Sequence, residues 1–177
     1  MFRITKSFNL EYGHRVWTQE LDKELSCGSS CACRHLHGHS GIVTLELGAQ
    51  DTYRGMVLDF KNLEFVKKFI DDTLDHRFIV DKSDPWFIDL CQRYETTWSI
   101  EPDSELPDLF SRVVPQDAYP EWLVEIGQSF IVVAFVPTSE LISQWLYEIA
   151  SKKLLGIAQV SSVKWQETAK TSATYQP

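Results

Sequence analysis

Two long runs of alternating apolar and polar side chains, one on each side of a Cys- and His-rich segment, constrain the fold of this chain most. Over residues 2–17 the apolar set Phe2, Ile4, Phe8, Leu10 and Tyr12 recurs at strand periodicity. Over residues 37–47, Val43, Leu45 and Leu47 fall on one face and Ile42, Thr44 and Glu46 on the other. The two runs can pair as a long antiparallel hairpin, with residues 18–32 as the loop between them. Two apolar stripes at helical spacing come next. The first is Leu63, Val66, Phe69, Ile70 and Leu74, with Asp59 as the expected N-cap. The second is Leu141, Ile142, Trp145, Leu146 and Ile149, opened by Pro137-Thr138-Ser139-Glu140 and closed at Gly156. Alternation returns over 157–167, and 171–175 is a candidate last strand. The order strand, strand, helix, helix, strand, strand predicts an α+β fold: a four-stranded antiparallel sheet with two helices on one face.

Residues 83–137 interrupt that order. They hold ten acidic side chains against two basic ones, and so the entire formal net charge of −8. They also hold six of the seven prolines. The block reads as an acidic, Pro-rich insertion (83–137) inside one domain spanning 1–177. Trp86, Phe87, Ile88 and Leu90 suggest a short apolar element in it, and 131–136 an extra strand. Two roles are open: a decorated loop covering the sheet or an assembly edge, or a lid or partner surface beside the active site. At 177 residues the chain can bury one sizeable core. Its acidic balance argues against a nucleic-acid partner. No run approaches the ~18 apolar residues of a membrane span, so no membrane partner is expected. Met1-Phe2-Arg3-Ile4-Thr5-Lys6 lacks the apolar core of a signal peptide, which predicts a cytoplasmic location. There the four cysteines are expected to be reduced, which favours metal binding or catalysis over a disulfide framework.

The chemistry concentrates in Cys31-Ala32-Cys33-Arg34-His35-Leu36-His37-Gly38-His39. His37 and His39, at i and i+2 on a strand, project from one face. His14 lies on the other arm of the expected hairpin. Three imidazoles on one sheet face would supply three neutral nitrogen donors and leave a fourth position open, as a catalytic zinc requires. The alternative is an isolated His14. Cys33, four residues before His37, would have its thiol activated by a nearby dication and could act as a base. A structural zinc held by Cys27, Cys31 and Cys33 with His37 or His39 is a further alternative, though Cys-x-Cys is an unusual spacing for one. Asp75-His76 past the first helix and Glu167 at a strand end are, alone, ordinary solvated residues.

Six motifs in register change the weight of these residues. They are Phe8-x5-His14, Cys33-x3-His37-Gly38-His39, Gly55-Met56-Val57-Leu58-Asp59-Phe60, Leu74-Asp75-His76, Pro137-Thr138-Ser139-Glu140 and Gln166-Glu167-Thr168. Together, over 1–82 and 137–177, the chain resembles the 6-pyruvoyltetrahydropterin synthase superfamily, and within it the 6-carboxytetrahydropterin synthases (QueD). The resemblance implies the tunnelling fold (T-fold) and a zinc ion held by His14, His37 and His39. It implies Cys33 as catalytic thiol, Asp75 and His76 as its acid–base partners, and Glu167 as anchor of the pterin edge, with help near Thr138 and Ser139. The implied reaction takes 7,8-dihydroneopterin triphosphate to 6-carboxy-5,6,7,8-tetrahydropterin, releasing acetaldehyde and triphosphate, an early step toward queuosine and other 7-deazaguanines. The implied assembly is a homo-hexamer or other homo-oligomer with sites at subunit interfaces. Cys31 fits the Cys-x5-His-Gly-His spacing of the pyruvoyl-forming synthases, which keeps that triphosphate elimination as the alternative. A non-catalytic relative that binds zinc and pterin is the other. Arg15, Arg34, Lys61 and Arg77 are candidates for the triphosphate.

Overall fold

Alternation becomes strand at both expected positions: β1 is Phe2–His14 and β2 is His37–Ala49. The computed structural model describes residues 1–20, 24, 31–116 and 119–177. The expected run over 2–17 ends at His14, because the chain turns there, with Gln19 N–H donating to the Val16 carbonyl. The Asp59 cap accepts a hydrogen bond from Lys61 N at 2.9 Å. Beyond it the helical stripe divides into three kinds of turn: a 3-10 turn over Phe60–Leu63, α1 over Glu64–Phe69 and a π turn over Ile70–Leu74. The whole stripe from Leu63 to Leu74 is buried. The π turn closes with Asp75 N–H on the Ile70 carbonyl.

Seven further elements come between β2 and the last hairpin besides α1. They are β3 (Arg77–Asp81), α2 (Pro85–Arg93), β4 (Trp98–Pro102), β5 (Ser111–Pro115), α3 (Glu121–Gln128), β6 (Phe130–Val133) and α4 (Ser139–Lys153). β7 (Gln159–Gln166) and β8 (Ser172–Tyr175) end the chain. The fold is α+β, with a mixed eight-stranded sheet and four α-helices among the described residues. Four strands was therefore too few. Most of the difference lies in 83–137, where the sequence suggested one short element and one strand. The block holds α2, β4, β5, α3 and β6 instead.

The chain divides into two compact units. The first comprises residues 1–12, 39–76 and 139–177. Its strands run in the order β1-β2-β7-β8, with β2–β7 and β7–β8 antiparallel. Val43 pairs with Trp165 and Leu45 with Val163. Phe8, Leu10, Leu45 and Val163 are buried, as are Ile142, Trp145, Leu146 and Ile149 of α4. Gly156, at φ +79°, ends the helical segment in the left-handed region that favours glycine. Gly41 is set by a close approach: a Cβ there would stand 2.6 Å from the fully buried Trp165 ring. Gly41→Ala is expected to destabilise the protein by about 1–3 kcal/mol through overpacking. The check is the urea midpoint, and an unchanged midpoint would refute this contact.

The second unit comprises residues 13–38 and 77–138. Its strands run β4-β5-β6-β3, with β3 parallel to β6 and the other pairs antiparallel. Parallel pairing sets Phe78 beside Phe130 and Val80 beside Val132. Phe87, Trp98, Val113, Leu123, Phe130 and Val132 pack with Val80 into one apolar core. The boundary between the units falls inside β1 and β2.

Candidate metal centre

His14 is the last residue of β1 and His37 the first of β2, so strand ends present the imidazoles. The donor atoms of His14, His37 and His39 all lie within 4.8 Å of one another. The His14 and His37 ring centroids are 4.5 Å apart. Nδ1 of His14 donates to the Pro137 carbonyl at 2.7 Å, and Nδ1 of His37 to the His35 carbonyl at 2.7 Å. A carbonyl only accepts, so both rings carry their proton on Nδ1 and keep the Nε2 lone pair for a ligand bond. The Nε2 atoms of all three rings are buried. Three neutral nitrogen donors converging in this way can hold a divalent transition metal. Neither Cys31 nor Cys33 belongs to that group. Cys27, the third thiol of the alternative structural site, lies outside the described residues.

Cys33 sits on a 3-10 turn, Ala32–Arg34, with Cys31 as its N-cap residue. Cys31 is buried, whereas Cys33 is half-buried, and both are thiols rather than disulfides. The Cys33 carbonyl accepts from Val16 N at 2.8 Å, which ties the turn to the residue two past His14.

Asp75 and His76 form a hydrogen-bonded pair, Oδ2 to Nδ1 at 2.8 Å. Both are pinned to β1 at one residue. Glu11 N donates to Asp75 Oδ1 at 2.8 Å, and His76 N donates to the Glu11 carbonyl at 2.7 Å. His76 adopts φ +57°, a left-handed conformation uncommon outside glycine. Burial works against the charged form of Asp75. The Glu11 amide and the His76 ring outweigh it and hold the carboxyl below its ordinary range. A depressed folded-state value stabilises the fold above the ordinary carboxylate range, and this is lost as pH falls through it. Wild type should therefore lose more stability than Asp75→Asn between about pH 6 and about pH 3. Urea midpoints at the two pH values measure this, and equal losses would contradict it.

Glu167 lies just past β7. Its Oε1 accepts from the Tyr12 hydroxyl at 3.4 Å and lies 3.7 Å from His39 Nε2. Burial, then the Glu167 charge, pushes the Tyr12 phenol far above its ordinary value, so it stays a donor. The Tyr12 ring stands edge-on to Trp165 at 4.8 Å and tilted against His39 at 5.7 Å. Thr138 precedes α4, its N–H on the Val136 carbonyl at 2.7 Å, and Ser139 opens that helix. Among the basic candidates, Arg15 pairs with Asp84 at 3.0 Å, and exposed Arg34 donates to the Gln19 carbonyl at 3.3 Å.

Sequence reasoning missed Tyr12, Pro137 and the acids facing residues 15–17. Tyr12 had a signal, because it lies two residues before His14 on the same face. The role of the Pro137 carbonyl had none, since a backbone acceptor leaves no trace in side-chain pattern.

Residues 3–177 match the family model described as 6-pyruvoyl tetrahydropterin synthase. The 6-carboxy-5,6,7,8-tetrahydropterin synthase of Aquifex aeolicus is 28% identical over 188 residues, covering 98% of this chain and 97% of its own. The enzyme of that name from Haemophilus influenzae is 35% identical over 89 residues, 47% of this chain and 55% of its own. Among solved structures, an uncharacterized protein from Wolinella succinogenes superposes with a TM-score of 0.86 at 40% identity, over 99% of this chain and 97% of its own. A Plasmodium vivax 6-pyruvoyltetrahydropterin synthase superposes at 0.57 with 17% identity, over 99% of this chain and 97% of its own, a likeness of fold alone.

Proposed function

Because the chain belongs to the 6-pyruvoyl tetrahydropterin synthase family, we propose that it is a 6-carboxytetrahydropterin synthase. It takes 7,8-dihydroneopterin triphosphate and water to 6-carboxy-5,6,7,8-tetrahydropterin, acetaldehyde and triphosphate, on the way to queuosine or another 7-deazaguanine. Relatives that carry this activity in their names support the reading. The observation that carries it is the pairing of a three-imidazole cluster with a half-buried thiol, Cys33, tied through its carbonyl to the segment after His14.

His14, His37 and His39 would hold a zinc ion. The chemistry that ion would supply is Lewis-acid polarisation of the substrate's side-chain hydroxyls, which would acidify the adjacent C–H. The chain's own residues do the rest. Cys33, as thiolate, accepts the side-chain proton. Asp75 fixes the His76 ring through Nδ1, which leaves Nε2 to carry a proton to or from the substrate side chain. Glu167 accepts from the paired N–H donors of the pterin edge, a charge-assisted contact, and Thr138 and Ser139 assist. The protein works as a homo-oligomer, a hexamer in this reading, in the cytoplasm, with sites completed between copies. Residues 83–137 are an insertion within one family domain over 1–177. The family match and the Wolinella superposition, both running through the block, support the single domain.

Mass spectrometry of products from zinc-loaded protein and dihydroneopterin triphosphate tests the reading. The expected outcome is 6-carboxytetrahydropterin with stoichiometric acetaldehyde. A pyruvoyl product without acetaldehyde would move the chain to the pyruvoyl-forming reaction. Bound zinc without any product would make it a binding protein.

A further inference from the structure

Of the three buried carboxylates among the described residues of the acidic block and the strand before it, Asp103 pairs with Arg112 inside the block, while Asp81 and Asp84 turn toward the segment after His14. Asp81 ends β3 and is 4% exposed; Asp84 caps α2 and is 0% exposed. Each gives one oxygen to its own loop and turns the other toward the segment after His14. Asp81 Oδ1 accepts from Ser83 N at 2.9 Å, and Asp84 Oδ1 accepts from Trp86 N at 2.9 Å, which fixes their own loop. The second oxygens reach the segment that comes after His14. Asp81 Oδ2 accepts from the Trp17 indole Nε1 at 2.9 Å, and Asp84 Oδ2 forms an ion pair with the Arg15 guanidinium, 3.0 Å from Nε but without hydrogen-bond alignment. Between those contacts lies Val16, whose N–H donates to the Cys33 carbonyl at 2.8 Å. Three successive residues after a metal-site imidazole are thus held, two by the carboxylates and one by the turn that bears the thiol. The far side of His14 is held by Pro137, whose carbonyl takes its Nδ1 proton. A segment with no regular structure of its own needs such fixing to keep an imidazole and a thiol at a set spacing.

We propose that Asp81 and Asp84 are positioning residues that set the placement of the Cys33 turn relative to His14. The inference rests on the proposed roles of His14 and Cys33. It also accounts for Arg15 otherwise than as a triphosphate ligand, since a buried carboxylate neutralises its charge. Outer contacts of this kind to a metal site are commonly worth about 10- to 100-fold in affinity or activity.

The test uses the full-length protein and four variants. Trp17→Phe removes one donor while keeping an aromatic ring, and Asp81→Asn and Asp84→Asn remove the acceptor charges. Asp89→Asn, at an exposed position on α2, is the control. Each is loaded with Co2+ alone, and its visible d–d bands and affinity are measured. Each is then loaded with zinc and assayed for kcat and KM. Trp17→Phe and Asp81→Asn are expected to change the Co2+ bands and to lower kcat by about 10-fold or more, with KM within about twofold. Asp84→Asn should do the same where it folds; Trp17→Phe, which buries no unmatched cation, carries the test where it does not. Asp89→Asn should match wild type. Unchanged Co2+ bands together with unchanged kcat in folded Trp17→Phe and Asp81→Asn would overturn the proposal, whatever their thermal stability. An inactive wild type whose Co2+ bands shift in the same variants would instead count against the catalytic reading, and the positioning of His14 would stand.

Discussion

Replacing His37 with alanine is expected to strip the protein of bound metal and to lower turnover on the order of a thousandfold. The size comes from what a Lewis acid supplies, several kcal/mol of charge stabilisation, at about 1.4 kcal/mol per tenfold in rate. His37 is the best of the three positions to test. Its ring is half-buried, and its Nδ1 partner is the carbonyl of exposed His35, which water can satisfy once the ring is gone. The fold should therefore lose no more than about 1 kcal/mol. His14→Ala is a poorer probe, because that ring is 1% exposed and its removal leaves both a void and the Pro137 carbonyl without its donor. Metal content by elemental analysis and turnover on the same sample decide the matter. Full metal occupancy in His37→Ala would show that the imidazole cluster is not the binding site.

The second large effect separates two thiols two residues apart. Cys33→Ala should cost about 10²- to 10⁴-fold in kcat, the usual worth of a positioned proton-transfer group, and leave metal content unchanged. Cys31→Ala should keep turnover within about threefold and lower stability instead, since Cys31 is 8% exposed and behaves as a small apolar side chain. A thiol must reach substrate to move its proton, and burial disfavours the thiolate form. The reverse result, with Cys31→Ala inactive and Cys33→Ala active, would assign the chemistry to the Cys-x5-His spacing and to a pyruvoyl product.

Much of the site was legible because its parts sit on strands and at helix ends, where spacing dictates direction. His37 and His39 had to share a face once the alternation was recognised, whereas the end of β1 at His14 was not legible, since the alternation reads on to residue 17. Asp59 was readable as a cap by chemistry alone. The acidic block and its approach were less legible. β3 is a short apolar run, Phe78-Ile79-Val80, with no alternation, since Ile79, Val80 and Asp81 are all buried. Such runs do not reveal a strand by period. β4 and β5 pair with each other across Ile100 and Val113, a contact between residues too far apart for local pattern to find. Asp81 and Asp84 were hidden for another reason. They counted toward a net charge, and a count cannot tell a solvated carboxylate from one turned inward to hold an indole or a guanidinium.

The backbone of His76 makes two demands of one residue. Its φ of +57° favours side chains that tolerate a left-handed turn, chiefly glycine, asparagine and aspartate. The pairing with Asp75 asks for a ring nitrogen. Alanine at this position would confuse the two, since it removes the imidazole and retains a Cβ in a region worth of order 1 kcal/mol in strain. Asparagine is the cleaner exchange: it suits the turn and cannot carry the proton. What looks like a conservative choice by size is here the sharper chemical probe, and any homologue with asparagine at this place would be expected to keep the fold and lack the proposed acid.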